Sequence, residues 1–180
     1  MKTYHVKGLT YIVRQATEKD AAEMSSLRLQ IDGETENLDR EPGEAFIDQN
    51  RFEQLINKDA VSPVNLFLVA EARGQIVGFS RCEGNTLKRF SHKAEFGIGI
   101  LKEYWGFGIG RKLLSASIAW ADAAGLKKMT LNVLETNQKA IRLYEKHGFK
   151  VEGVLECDKI LSDGRCYSTI VMGRVNTPDA

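Results

Sequence analysis

The sequence predicts an α/β (α+β) fold, in which helices flank one mixed, mostly antiparallel central sheet. Two observations lead to this prediction. Apolar runs of strand length meet at a hairpin signal, Arg73-Gly74, in the middle of the chain. Further strand-like runs then alternate with stretches of helical spacing, such as the one carrying Leu113, Leu114 and Ile118. With 180 residues, 43% of them hydrophobic, the chain is predicted to form one domain with an adequate core.

The elements follow in order from these signals. A first strand is predicted at residues 10–14, and a first helix after a capping box formed by Thr17 and Asp20. A second helix is predicted from near Glu44. The other predicted elements are strands at 65–72, 75–83, 93–101, 129–134, 149–160 and 165–172, and helices at 111–124 and 137–147. Residues 10–174 are therefore expected to be the domain, with an N-terminal extension at 1–9 and a frayed C-terminal tail at 175–180.

Composition argues against several classes of function. Lys and Arg number 25 against 24 Asp and Glu, so no nucleic-acid partner is expected. No apolar run approaches a membrane span, and residues 1–8 lack the apolar stretch of a signal peptide, so neither a membrane partner nor secretion is expected. The three cysteines are scattered, which predicts packing in the sheet rather than a disulfide framework or a metal site. These features together predict a cytoplasmic location.

The most informative segment is a strand that runs into closely spaced glycines. Gly106, Gly108 and Gly110 open a helix, and this pattern favours phosphate binding by free backbone N–H groups. A glycine turn that only permits tight helix–sheet packing is the alternative. The spacing is neither that of a P-loop nor the GxGxxG of a dinucleotide fold. A nucleotide-binding module is therefore a less favoured interpretation.

Two motifs in order resemble one known family. The run from Tyr104 to Gly110 resembles the acetyl-CoA pyrophosphate loop of GNAT N-acetyltransferases, with Trp105 at the position of the family's Gln or Arg. The run from Asn137 to Phe149 is similar to the second family signature, N-x-x-A-x-x-x-Y-x-x-x-G-F. The resemblance covers residues 11–173. It implies a GNAT-like sheet and an acyltransferase with acetyl-CoA as its cosubstrate.

The resemblance also implies a set of cosubstrate-binding residues. Backbone groups of a strand pair with the pantetheine arm, and the glycine loop holds the pyrophosphate. An N–H near Ile100 polarises the thioester carbonyl, and no metal takes part. The implied residues are Ile98, Ile100, Trp105, Gly106, Phe107, Gly108, Ile109, Gly110, Arg111 and Asn137.

Two residues are candidates for catalysis. Tyr144 matches the family's general acid, since a phenol with a pKa near 10 is protonated at neutral pH. A half-buried aromatic on a helix face is the alternative for Tyr144. Glu95 matches a carboxylate that accepts the amine proton, directly or through water. An exposed strand carboxylate, a water relay without it, and His92 as the base remain alternatives.

Charge distribution suggests the acceptor. Residues 32–59 carry nine acidic against three basic side chains, whereas residues 91–148 carry nine basic against five acidic ones. This split predicts an anionic cosubstrate on one side and a cationic small-molecule amine, such as a polyamine, on the other. A peptide acceptor and a merely solvated acidic loop stay open. The alternative function is a non-catalytic acyl-CoA sensor on the same fold. The resemblance also implies a homodimer.

Overall fold

One eight-stranded sheet organises the molecule. The computed structural model describes residues 1–176. The strands are β1 (Lys2–Val6), β2 (Leu9–Gln15), β3 (Leu66–Ala72), β4 (Gln75–Gly84), β5 (Lys93–Ile100), β6 (Lys128–Leu134), β7 (Lys150–Ile160) and β8 (Cys166–Val175). They lie in the order β1-β2-β3-β4-β5-β6-β8-β7, and every neighbouring pair is antiparallel except β5–β6, which is parallel. The predicted fold class is confirmed.

Helices cover both faces of the sheet. They are α1 (Ala21–Glu34), α2 (Gln49–Val61), α3 (Ile109–Ala123) and α4 (Gln138–Glu145). A Cβ added at Gly99 of β5 would meet Ile31 of α1, whereas Ile98 and Ile100 approach Gly110 of α3. Neighbouring residues of a strand point to opposite faces, so α1 and α3 lie on opposite sides of β5.

The first strand is one that the sequence did not indicate. Residues 2–6, placed by prediction in an extension, form β1 and pair with β2, with Tyr4 opposite Tyr11. Alternation of apolar side chains is weak there because β1 is an exposed edge strand. At the other end, the predicted tail begins inside β8, which runs to Val175, and residues 177–180 lie outside the described part.

The capping box before α1 forms as predicted and joins a buried ion pair. The Asp20 carboxylate accepts hydrogen bonds from the backbone N–H of Thr17 at 2.7 Å and from both terminal nitrogens of Arg14 at 2.8 Å. Burial raises the pKa of Asp20, but the hydrogen bonds from Arg14 and Thr17 outweigh it, so the net pKa lies below its usual value. Ionised Asp20 therefore stabilises the fold.

Replacing Asp20 is expected to remove a pH-dependent part of the stability. We expect Asp20→Asn to lower the free energy of unfolding by about 2 kcal/mol at pH 7, since hydrogen bonds to a charged group are lost. Because the folded pKa is lowered, the contribution is complete above the unfolded pKa of about 4 and disappears as the pH falls through the folded value. Urea unfolding at pH 7 and at pH 3 tests this. A stability difference that does not shrink at pH 3 would contradict it.

The second helix begins later than predicted. Asp48 is its N-cap and accepts a hydrogen bond from the N–H of Arg51 at 2.8 Å, so α2 starts at Gln49 rather than near Glu44. Phe46, predicted as an apolar helix position, is 49% exposed in the loop before it. The N-cap residue sets where the helix begins, and the apolar spacing that starts near Glu44 does not.

Two of the three cysteines differ from the prediction. Cys82 is buried in β4 as expected. Cys157 and Cys166 instead form a disulfide between β7 and β8, with their Cα atoms 4.8 Å apart. Cys166 lies opposite Ile160 in the ladder, and the irregular stretch of β7 between Leu155 and Lys159 brings Cys157 close to Cys166, which the spacing of the two residues alone does not reveal. Disulfides are uncommon in reducing compartments, so cysteine usage no longer supports the cytoplasmic prediction.

Candidate active site

A gap opens in the sheet between β5 and β6. The two parallel strands pair at only three positions, the last of which joins Glu95 to Thr130. Beyond that point β5 continues to Ile100 and β6 to Leu134 without a ladder between them. The gap therefore exposes a length of strand edge in the centre of the sheet, where another extended chain can add hydrogen bonds.

Backbone groups of Ile98 and Ile100 face this gap. The N–H of Leu101 donates to the carbonyl of Val77 at 3.0 Å, which fixes the alternation of the β4–β5 ladder. Gly99 then pairs with β4, while Ile98 and Ile100 direct their backbone groups to the open side. The indole N–H of Trp105 donates to the carbonyl of Ile100 at 2.9 Å. Within residues 1–176, the strand ladders leave the N–H and carbonyl of Ile98 and the N–H of Ile100 open to an extended ligand.

The glycine loop continues from this edge into α3. Gly106 and Gly108 have positive φ angles of 85° and 77°, conformations that residues with a Cβ rarely adopt. The first hydrogen bond of the helix joins the N–H of Lys112 to the carbonyl of Gly108 at 3.1 Å. The N–H groups of residues 109–111 precede it and have no partner inside the helix. The loop and helix end thus offer donors, with the exposed Arg111, for phosphate oxygens.

Tyr144 lies beside the gap on the face covered by α3 and α4. Its ring packs edge-on against Phe96 of β5, with the centroids 6.3 Å apart, and against Phe149. Burial raises the pKa of Tyr144 to about 12. Within residues 1–176 the Tyr144 hydroxyl makes no hydrogen bond. It is not a fully buried oxygen without a partner, because in that part of the chain the one such side-chain oxygen belongs to Thr169. Because burial raises its pKa, the Tyr144 hydroxyl stays protonated at neutral pH, as a general acid requires.

Glu95 stands at the point where the gap begins. It is exposed and lies opposite Glu83 of β4 in the ladder. Because Phe96 faces Tyr144, alternation along β5 directs Glu95 to the opposite face of the sheet. A thioester held in the gap would thus have Glu95 on one face and Tyr144 on the other. His92 is an exposed residue before β5, and its carbonyl accepts hydrogen bonds from the N–H groups of Lys127 and Lys128.

Two residues of the second signature make hydrogen-bond contacts at the two ends of α4. Asn137 is the N-cap, and its side-chain oxygen accepts from the N–H of Ala140 at 3.3 Å. Asn137 is half-buried and follows the end of β6 by three residues. His147 holds the end of the helix, since its Nδ1 lies 2.8 Å from the carbonyl of Leu143. This contact gives a partner to a carbonyl in the last turn of α4.

Most of the acidic side chains between residues 32 and 59 already have partners. Lys159 of β7 pairs with Asp39, and the N–H of Ser162 donates to Glu36 at 2.8 Å, which joins the β7–β8 hairpin to the loop between α1 and α2. Seven of the nine carboxylates accept hydrogen bonds from the protein: Asp32, Glu34, Glu36, Asp39, Glu44, Asp48 and Asp59. The local excess of acidic residues therefore argues less for a cationic acceptor than it did from sequence.

Sequence reasoning missed a group of residues that contact the loop from the other end of the sheet. Tyr11 of β2 donates its hydroxyl hydrogen to the carbonyl of Phe107 at 3.3 Å. Tyr4 packs on Tyr11, and the ammonium group of Lys112 lies 4.6 Å from the centre of the Tyr4 ring. The contact between Tyr11 and Phe107 joins residues 96 positions apart, so no local pattern in the sequence could have revealed it.

Neither a membrane span nor a metal cluster is found in the described chain. No helix within residues 1–176 is long and apolar enough to cross a membrane. In the same part of the chain, no three His, Cys, Asp or Glu side chains converge as metal ligands would.

Comparison with known proteins gives the class of this protein, which is an acyltransferase. The model of the acetyltransferase (GNAT) family matches residues 12–149, and the chain belongs to this family. Two relatives are L-amino acid N-acetyltransferase AaaT of Escherichia coli, 32% identical over 60% of this chain and 67% of that one, and spermidine N(1)-acetyltransferase of Vibrio cholerae, 34% identical over 64% and 65%. The aligned region thus spans about two thirds of each relative.

Solved structures share the whole fold. A GNAT-family acetyltransferase from Streptococcus pneumoniae superposes with a TM-score of 0.89 at 32% identity, covering 92% of this chain and 99% of that one. The protein yncA from Salmonella typhimurium, solved with its cofactor acetyl-CoA, has a TM-score of 0.80 at 22% identity, with 94% and 98% coverage. The family assignment made from the two sequence motifs is confirmed.

Proposed function

We propose that the chain is an N-acetyltransferase that moves the acetyl group of acetyl-CoA directly to a primary amine. The observation that carries the proposal is the gap between β5 and β6. Its free edge at Ile98 and Ile100 leads without interruption into the donors at Gly106, Gly108 and the start of α3. A pantetheine arm needs an extended edge and a pyrophosphate needs clustered N–H groups, and both occur here in the order in which CoA carries them.

The proposed reaction uses groups on both faces of the sheet. The neutral amine attacks the thioester carbonyl, and an N–H on the open edge of β5 stabilises the negative charge that develops on the oxygen; that of Ile98 lies nearer to Glu95 and Tyr144 than that of Ile100 does. The C–S bond then breaks, and Tyr144 donates a proton to the departing thiolate. The amine loses its proton to Glu95 or to water that Glu95 holds. Direct transfer requires no acyl-enzyme, and Cys82, which is buried with a pKa raised by burial to about 12, is unsuited as a nucleophile.

The acceptor is proposed as a small-molecule amine or a peptide amine. The two relatives named for amino acids and for spermidine support the small-molecule class. A cationic acceptor such as a polyamine is the narrower proposal. Its support from charge is small, because seven of the nine acidic side chains in residues 32–59 accept hydrogen bonds from the protein and leave Glu41 and Glu53 without one in residues 1–176. A cytoplasmic location and a homodimer also stay predictions.

Release of free thiol from acetyl-CoA tests the proposal. Spermidine, a set of L-amino acids and a peptide with a free N-terminus serve as acceptors, and thiol release is compared with that in their absence. We expect turnover with at least one of them. Acetyl-CoA binding without turnover on any acceptor would favour the acyl-CoA sensor, and thermal protection by ATP or NAD but not by acetyl-CoA would favour a nucleotide-binding module.

Replacing Glu95 tests the base. We expect Glu95→Gln to lower kcat/KM for the amine by about tenfold at pH 7, a modest effect for a general base because bulk water can replace it in part. The affinity for CoA should not change, since Glu95 faces away from the phosphate loop. Glu83→Gln is the matched control, because it makes the same chemical change on β4. Glu83 lies directly opposite Glu95 in the ladder and on the same face of the sheet. Equal rates for Glu95→Gln and the wild type would show that Glu95 is not the base and would leave water or His92 in that role.

A further inference from the structure

Tyr11 joins the far side of the sheet to the glycine loop. It lies on β2, three strands away from β5, and its side chain is 1% exposed. Its hydroxyl donates to the carbonyl oxygen of Phe107 at 3.3 Å and lies 3.8 Å from the position that a Cβ on Gly108 would occupy. Burial, and secondarily the neighbouring Tyr4, raises the pKa of Tyr11, so the hydroxyl remains a donor at neutral pH. The buried Tyr11 side chain therefore fixes the middle of the glycine loop, at Phe107, from the interior of the protein.

The hydrogen bond from Tyr11 also determines the direction of a neighbouring N–H group, because the two groups belong to one peptide unit. The carbonyl of Phe107 and the N–H of Gly108 belong to the same planar unit, and no peptide bond in the described chain is cis. In a trans unit these two groups point in opposite directions. Because the carbonyl points at the buried Tyr11, the N–H of Gly108 points away from the interior. Gly106 and Gly108 on either side impose little restraint of their own, since glycine permits a wide range of angles.

We propose that Tyr11 is a positioning residue for the phosphates of the cosubstrate. Its hydroxyl holds the unit between Phe107 and Gly108 in the orientation that aims the Gly108 N–H at a phosphate oxygen. Tyr11 does not contact the cosubstrate and acts only through the loop. The inference rests on the proposed use of acetyl-CoA and adds to it a strand, β2, that carries neither of the family motifs.

Two variants that remove one hydroxyl each separate this role from general packing. Tyr11→Phe keeps the ring and removes the donor to Phe107. Tyr4→Phe makes the same chemical change on a ring whose centroid lies 5.4 Å away and whose hydroxyl makes no hydrogen bond in residues 1–176. Both rings keep their mutual packing in either variant. Any difference between the two variants is therefore due to the hydrogen bond to Phe107.

Calorimetric titration with CoA and the amide spectrum of the protein labelled with ¹⁵N provide the measurements. We expect Tyr11→Phe to weaken CoA binding by about five- to tenfold, the effect of one lost hydrogen bond, and Tyr4→Phe to bind as the wild type does. In the wild type, CoA should shift the amide proton of Gly108 downfield, as donation to a charged acceptor does. In Tyr11→Phe that shift should be clearly smaller. A loss of packing alone would lower Tm without changing the shift of this one amide.

Three results would overturn the inference or what it depends on. If Tyr11→Phe matches the wild type in both affinity and Gly108 shift, Tyr11 does not position the loop. If Tyr4→Phe weakens binding as much as Tyr11→Phe, the effect comes from packing and not from the hydrogen bond. If the wild type itself does not bind CoA, the proposed function fails, and the inference fails with it.

Discussion

Tyr144→Phe is expected to lower kcat by about 100-fold while leaving the affinity for CoA unchanged. The change removes only the hydroxyl that we propose as the proton donor to the thiolate. The ring keeps its contacts with Phe96 and Phe149, so the packing around α4 should be preserved. Since burial raises the pKa of Tyr144 to about 12, the donor stays protonated across the usual assay range. The deficit in kcat should therefore be the same at pH 7 and pH 9.

Steady-state kinetics on the best acceptor, together with calorimetric titration of CoA, check this result. Tyr4→Phe serves as the control, because it removes a hydroxyl on β1, far from α4 in sequence and at the edge of the sheet. It should retain the wild-type kcat. If Tyr144→Phe turns over as fast as the wild type, the thiolate leaves without help from this tyrosine. The buried aromatic interpretation of Tyr144 would then be the right one.

The parts of the fold that sequence predicted are those encoded in short stretches. The hairpin at Arg73-Gly74, the helix that follows the glycine loop and the capping box at Thr17 each depend on residues within a few positions of one another. Turn residues, helical spacing and a polar cap act over a few positions, so they can be recognised without knowledge of tertiary contacts. The two family motifs are equally local, which is why the fold class and the family followed from them.

The parts that sequence missed depend on contacts between distant residues. The disulfide depends on the irregular stretch of β7 between Leu155 and Lys159, which brings Cys157 close to Cys166. Strand β1 forms by pairing with β2. The acidic loop is anchored by Lys159, which is 120 positions from Asp39. Counting charges treats each carboxylate as free, whereas the fold gives most of them a partner. The site was therefore predictable where a motif carries it, and the acceptor side was not.

Gly108→Val is expected to abolish most of the affinity for CoA. Gly108 adopts a φ angle of 77°, which a β-branched residue disfavours strongly. The loop must then rearrange, and the N–H groups of Gly108 and of the first turn of α3 lose their common direction. Losing one or two hydrogen bonds to charged phosphate oxygens should weaken binding by about 100-fold.

Gly125→Val is the matched control for this prediction. Gly125 follows the other end of α3 with a φ angle of 72°, and nothing lies within 4 Å of the position of its Cβ. Both substitutions strain a left-handed residue next to the same helix, at a cost of about 1–2 kcal/mol in stability each. Calorimetric titration with CoA should show a loss for Gly108→Val alone, while thermal unfolding shows similar losses for both. Equal losses of affinity would mean that stability governs binding and that the loop does not hold the phosphates.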